Sequence, residues 1–118
     1  MTDKNGVRSY EYRPSRIEAG FDVDFRSGDK TIYGLCRNVS NTGIRAVLDG
    51  PVMIGSSGLL ALRHPTGALQ LEAQVAYIEN GQAGLVFLFH TDWERNVTAT
   101  FIASIANQNA ELLVIRLP

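Results

Sequence analysis

Apolar and polar residues alternate from Arg16 to Arg26. Ile17, Ala19, Phe21, Val23 and Phe25 take every second position, while Arg16, Glu18, Asp22, Asp24 and Arg26 share the other face with Gly20. A period of two over this length is the signature of a strand with one buried face. Ser27-Gly28-Asp29 then supplies turn residues, and a second strand is predicted from about Lys30 to Val39. A third runs from about Gly43 to Leu48 and ends at Asp49-Gly50-Pro51, and a fourth spans about Leu59 to Arg63 before His64-Pro65-Thr66-Gly67. Leu69, Leu71, Ala73, Val75 and Tyr77 line one face of a fifth strand; Asn80-Gly81 is a strong hairpin signal, and Gln82 to Phe89 returns as a sixth.

The period then changes. Thr91-Asp92-Trp93-Glu94 reads as a capping box, with Glu94 reaching back toward the cap. Val97, Phe101 and Ile105 follow at four-residue spacing with Ile102 beside them, predicting a helix over about 91–107. Residues 111–118 form an apolar tail (Leu112, Leu113, Val114, Ile115) that fits a seventh strand, a helix extension or a contact with another chain. Six short strands joined by tight turns argue for an antiparallel barrel or sandwich, because parallel crossovers need a dozen or more residues. The helix is expected to cover an open end or face of that sheet. The chain divides into a flexible segment 1–15, a barrel 16–90 and the helix, together one domain over 1–110.

Composition narrows the function. The chain has 118 residues, a net charge of −1, 45% hydrophobic and 19% charged residues, which suits one folded domain rather than a disordered segment. Neither nucleic acid nor direct membrane insertion is expected, since there is no overall basic excess and no apolar run of spanning length. The first twelve residues carry no apolar stretch of a secretion signal, so a cytoplasmic location is expected. Eight of the eleven basic residues fall within the first 45 positions, against six acids there, so several arginines are placed to converge on one small anion.

Chemistry has few candidates. The single Cys36 lies inside a predicted strand and reads as a small core residue, and one cysteine supports neither a disulfide framework nor a multi-cysteine zinc site. His64 and His90 stand at strand ends without a second ligand at metal-site spacing. Asp22 and Asp24 read as a solvated face. Asn38-Val39-Ser40 and Asn96-Val97-Thr98 match the glycosylation sequon incidentally. No enzyme, cofactor or metal site is expected. Two segments carry more information: Tyr12-Arg13-Pro14-Ser15-Arg16 at the entrance to the first strand, and Asn38-Val39-Ser40-Asn41-Thr42-Gly43 between the second and third. Pro14 stiffens the first and favours extended geometry at Arg13. In the second, Asn and Ser offer hydrogen bonds and Gly43 permits close backbone approach.

In this order the two segments resemble the PilZ domain, a bacterial receptor module for the second messenger cyclic di-GMP. Asn38, Ser40 and Gly43 match the family's Asp/Asn-x-Ser-x-x-Gly turn, the alternation after Arg16 is similar to its first strand, and Gly84-Leu85-Val86-Phe87 resembles its Gly-x-x-Phe. The resemblance covers about residues 8–106 and implies a six-stranded antiparallel β-barrel with one C-terminal helix. It also implies a ligand, cyclic di-GMP, held by Arg13, Arg16, Asn38, Ser40 and Gly43, with Arg8, Tyr12 and Tyr77 as weaker candidates. One departure stands out: Tyr12 occupies the place of the first arginine of the family's Arg-x-x-x-Arg, so the spacing here is Arg13-x-x-Arg16. Tyr77 stands where the family often places a tryptophan near the ligand, although its shared face with Ala73 and Val75 favours core packing. The resemblance implies a non-enzymatic sensor that relays the signal to a protein partner; the alternative is an adaptor that binds proteins without nucleotide.

Overall fold

The computed structural model describes residues 16–116, with side chains through Gln108. Six strands precede one helix: β1 Ile17–Ser27, β2 Lys30–Val39, β3 Gly43–Leu48, β4 Ser57–His64, β5 Gly67–Glu79, β6 Gln82–Phe87 and α1 Asp92–Arg116. All pairings are antiparallel, and the sheet closes as a barrel in the order β1-β2-β3-β6-β5-β4. Alternation explains why. Phe21, Val23 and Phe25 of β1 point inward, as do Leu60 and Leu62 of β4 and Leu71, Ala73 and Val75 of β5, and all are buried in one core with Ile44, Ala46 and Leu85. Asn80 (φ 54°) and Gly81 (φ 77°) take the paired left-handed conformations that suit a two-residue hairpin between β5 and β6.

Three register shifts break the period: one in β1 between Glu18 and Phe21, where β1 has one residue more than β2, and two that bear on the site. In β2, Cys36 pairs with Ala46 and Asn38 with Arg45, so Arg37 is an extra residue. Cys36 and Val39, three apart, can then both face the core, and Asn38 turns outward. In β5, Val75 pairs with Leu85 and Tyr77 with Gly84, which leaves Ala76 extra. The expected common face of Ala73, Val75 and Tyr77 therefore ends at Val75. Tyr77 lies on the outer wall, not in the core.

Helix α1 starts at the expected cap. Thr91 Oγ1 accepts the Glu94 amide at 3.1 Å, but the Glu94 carboxylate takes the His90 amide at 2.7 Å rather than that of Thr91. The helix buries Thr98, Phe101, Ile102 and Ile105, and Phe101 meets Phe21 edge-on at 6.4 Å between ring centroids. Ser104 bonds Thr66 in the β4–β5 turn at 3.1 Å. Among the described residues the buried Thr98 hydroxyl finds no hydrogen-bond partner. The helix does not end near Asn107 but continues to Arg116, so the extension is the form the 111–116 stretch takes. Asn107-Gln108-Asn109 interrupts the apolar pattern without breaking a helix, and Ala110, Glu111, Leu112 and Leu113 are good helix formers with no Gly or Pro among them.

Candidate functional site

The two informative segments meet on the outer wall. Arg16, at the mouth of β1, donates from Nη1 to Asn38 Oδ1 at 2.7 Å, across 22 residues of sequence. Asn38 can receive it because the β2 bulge turns its side chain outward. Arg13, Arg8 and Tyr12 lie outside the described residues.

The Asn38–Gly43 turn is built inward. Ser40 is fully buried. Its hydroxyl accepts the Thr42 amide at 3.2 Å and lies 3.1 Å from the Thr42 hydroxyl and 3.4 Å from the Gly43 carbonyl, while the Ser40 amide donates to that carbonyl at 2.9 Å. The Thr42 carbonyl accepts from the Phe87 amide at 2.9 Å, tying the turn to β6. A side chain on Gly43 would collide with the Leu85 carbonyl of β6. Its missing side chain thus serves strand packing: Ser40 and Gly43 fix the shape of the turn, and Asn38 is the turn's outward group.

Arg45, which the sequence did not single out, completes the wall. Pairing sets Glu18, Asn38, Arg45, Gly84 and Tyr77 side by side on β1, β2, β3, β6 and β5. The Tyr77 ring lies across the bare backbone of Gly84, where any side chain would strike it. From there its hydroxyl accepts Arg45 Nε–H at 3.1 Å, and the guanidinium carbon stands 5.7 Å from the ring centroid. Among the described residues neither Arg16 nor Arg45 is paired with a carboxylate. Two guanidinium groups flanking an amide make a surface suited to an oxyanion with further acceptors. The sequence signal for Arg45 was its place two residues after Gly43, visible only once the β2 bulge is known.

A concavity of about 620 Å³ lies further along β1 and β2 and is lined by Asp22, Asp24, Arg26, Tyr33, Asp49 and Arg63 among others. Asp24 is bound by Arg63 there. Three carboxylates against two guanidinium groups suit an anionic ligand poorly. Cys36 Sγ is buried 3.3 Å from the Asn38 carbonyl, and burial pushes its thiol up to about 12, so it has no thiolate for nucleophilic work at neutral pH. Among the described residues no cluster of three metal-ligating side chains occurs, and no helix is long and apolar enough to cross a membrane.

The PilZ domain family model matches residues 8–104. Among solved structures, the chain is similar to the PilZ domain of YcgR from Escherichia coli with cyclic di-GMP (18% identity, TM-score 0.74, 86% of this chain and 95% of that one). It is also similar to the PilZ domain of CeSA from a cellulose-synthesising bacterium, at 14% identity and TM-score 0.67, over 78% of this chain and 98% of that one. Bacillus subtilis inhibitor of motility (MotI/DgrA) matches at 25% identity and TM-score 0.65, over 80% of this chain and 51% of that one, so this chain spans about half its length. No curated protein matches in sequence.

Proposed function

Since the chain belongs to the PilZ domain family, a receptor module rather than a catalytic one, we propose that it is a cytoplasmic, non-enzymatic sensor that binds cyclic di-GMP and relays the signal to a protein partner. The observation that carries this reading is the Arg16–Asn38 hydrogen bond, which joins the two motif segments into one outward surface. Guanidinium forks suit both the phosphodiesters and the guanine acceptor edges of such a ligand, since they present paired donors and keep their charge. Arg13, Arg8 and Tyr12 would close over it from the N-terminal segment, while Ser40 and Gly43 hold the turn that presents Asn38. The protein partner would read apolar side chains beside the site: Leu35 and Val47 pair across β2 and β3 on the outer wall, with exposed Tyr33 next to them. That patch also favours the second reading, an adaptor that uses it without nucleotide.

Isothermal titration of the purified protein with cyclic di-GMP separates the two. The sensor reading requires saturable binding. Arg16→Ala should weaken it roughly ten- to hundred-fold, the loss of one or more charge-assisted bonds. Arg13→Ala should cost less, and Ser40→Ala least. Absence of binding by the wild-type protein would favour the adaptor; tight binding unaffected by Arg16→Ala would refute the site.

A further inference from the structure

Arg16 is one cation at the edge of the wall. The row on which it closes contains a second, and that one is held by the fold itself. Arg45 stands on β3 beside Asn38, so Asn38 lies between two arginines, Arg16 bonded to it from the β1 entrance and Arg45 rooted next to it on β3. Three features fix Arg45. The β5 bulge turns Tyr77 outward, Gly84 leaves the space its ring needs, and the tyrosine hydroxyl accepts Arg45 Nε–H. With Nε occupied, the four Nη hydrogens remain to be presented as a fork, and the ring below limits how the group can turn.

We propose that Arg45, positioned by Tyr77 across Gly84, is a ligand-binding residue of this surface, and that it and Arg16 grip a phosphodiester of the ligand from the two sides of Asn38. This rests on the receptor reading above and adds to it a fixed anchor built into the barrel wall. Neighbouring strands lie about 4.8 Å apart, so Arg16 and Arg45 are rooted about 10 Å apart on β1 and β3, a gap that two long arginine side chains converging on one phosphate group can close. A clamp with one arm on a rigid sheet loses less freedom on binding than one made only of chain outside the barrel. Glu18, paired with Asn38 from β1, puts a carboxylate on the side from which Arg16 comes, so the phosphate is favoured toward the Arg45 side of Asn38, where Arg16 reaches over from β1.

The test is titration with cyclic di-GMP of the wild-type protein and of Arg45→Ala, Arg45→Lys, Tyr77→Phe, Arg16→Ala and, as control, Arg63→Ala, each with a thermal melt to verify the fold. Arg45→Ala should weaken binding roughly ten- to hundred-fold, and Arg45→Lys should recover only part of that, because a point charge replaces a fork. Arg63→Ala removes the same charge from the other concavity and should leave binding unchanged. Tyr77→Phe keeps the ring over Gly84 but not the acceptor. It should weaken binding by about two- to five-fold and, in the free protein, speed the solvent exchange of Arg45 Nε–H seen by NMR. Equal binding by Arg45→Ala and wild type, alongside a large loss in Arg16→Ala, would refute the Arg45 anchor and leave the receptor reading standing. Equal losses in Arg45→Ala and Arg63→Ala would also refute it, by reducing the effect to general charge. An unchanged Nε–H in Tyr77→Phe would overturn the positioning role. A wild-type protein that binds nothing overturns the receptor reading, and this proposal with it.

Discussion

His64 and His90 both stand where a strand gives way to a loop, yet their surroundings act on the proton in opposite directions. His64 packs edge-on against Phe21 at 5.3 Å, and its Nδ1 accepts the Thr66 amide at 3.1 Å. Burial therefore lowers its pKa below the usual 6.5. His90 hydrogen-bonds the Glu72 carboxylate, and that bond, with the charge behind it, raises its pKa. The consequences for stability have opposite signs. The neutral His64 contributes above about pH 6.5 and its contribution fades as acid drives the ring to protonate, loosening the His64–Thr66–Ser104 chain that ties α1 to the β4–β5 turn. The protonated His90 contributes at low pH, and that contribution fades as pH rises through its elevated folded value. Proton NMR of the two imidazoles should give a midpoint for His64 below that of an unfolded histidine and one for His90 above it; the reverse order would show that these environments are misassigned.

At the scale of elements, the strands were readable because a closed barrel has one inside, and a period of two marks it. The capped start of α1 was readable for a similar reason: Thr91 and Glu94 have a local job. The bulges were not. An extra residue at Arg37 or Ala76 changes no composition and merely shifts which neighbours pair, so the outward turn of Asn38 and Tyr77, and with it the place of Arg45, could not be read from spacing alone. The far end of α1 was missed because nothing stops it: Asn107 to Asn109 are polar, and polarity is no helix terminator. The same reasoning yields a test of the Tyr77 shelf. A methyl group at Gly84 would occupy the ring's place. Gly84→Ala should thus destabilise the protein by about 1–3 kcal/mol, as overpacking does, and the double variant with Tyr77→Ala should recover part of that loss in thermal or urea unfolding. Strict additivity of the two would show that ring and methyl do not compete for one space.

At the scale of the whole molecule, closure depends on β1 pairing with β4, Asp22 opposite Arg63, and so on contacts far apart in sequence. The ring of strands is not equally deep all round. β6 ends at Phe87, opposite Ala73, whereas β5 begins six residues earlier at Gly67. The first residues of β5 therefore have β4 on one side and, among the described residues, no strand on the other, and it is chiefly β5 that α1 packs against. Phe101 and Ser104 fasten the helix beside that edge, to Phe21 of β1 and to Thr66 in the β4–β5 turn. The helix is thus a guard over an incomplete sheet edge as well as a lid on the core. Unpaired strand edges invite pairing with other chains. Loosening the helix with Phe101→Asp should then produce, besides a lower melting temperature, concentration-dependent oligomers in light scattering that gain β-structure, with growth beginning at Gly67–Leu71. If that variant stays monomeric at every concentration, the edge needs no guard. If it assembles, the packing of α1 through Phe101 is what keeps the start of β5 from pairing with other copies of the chain.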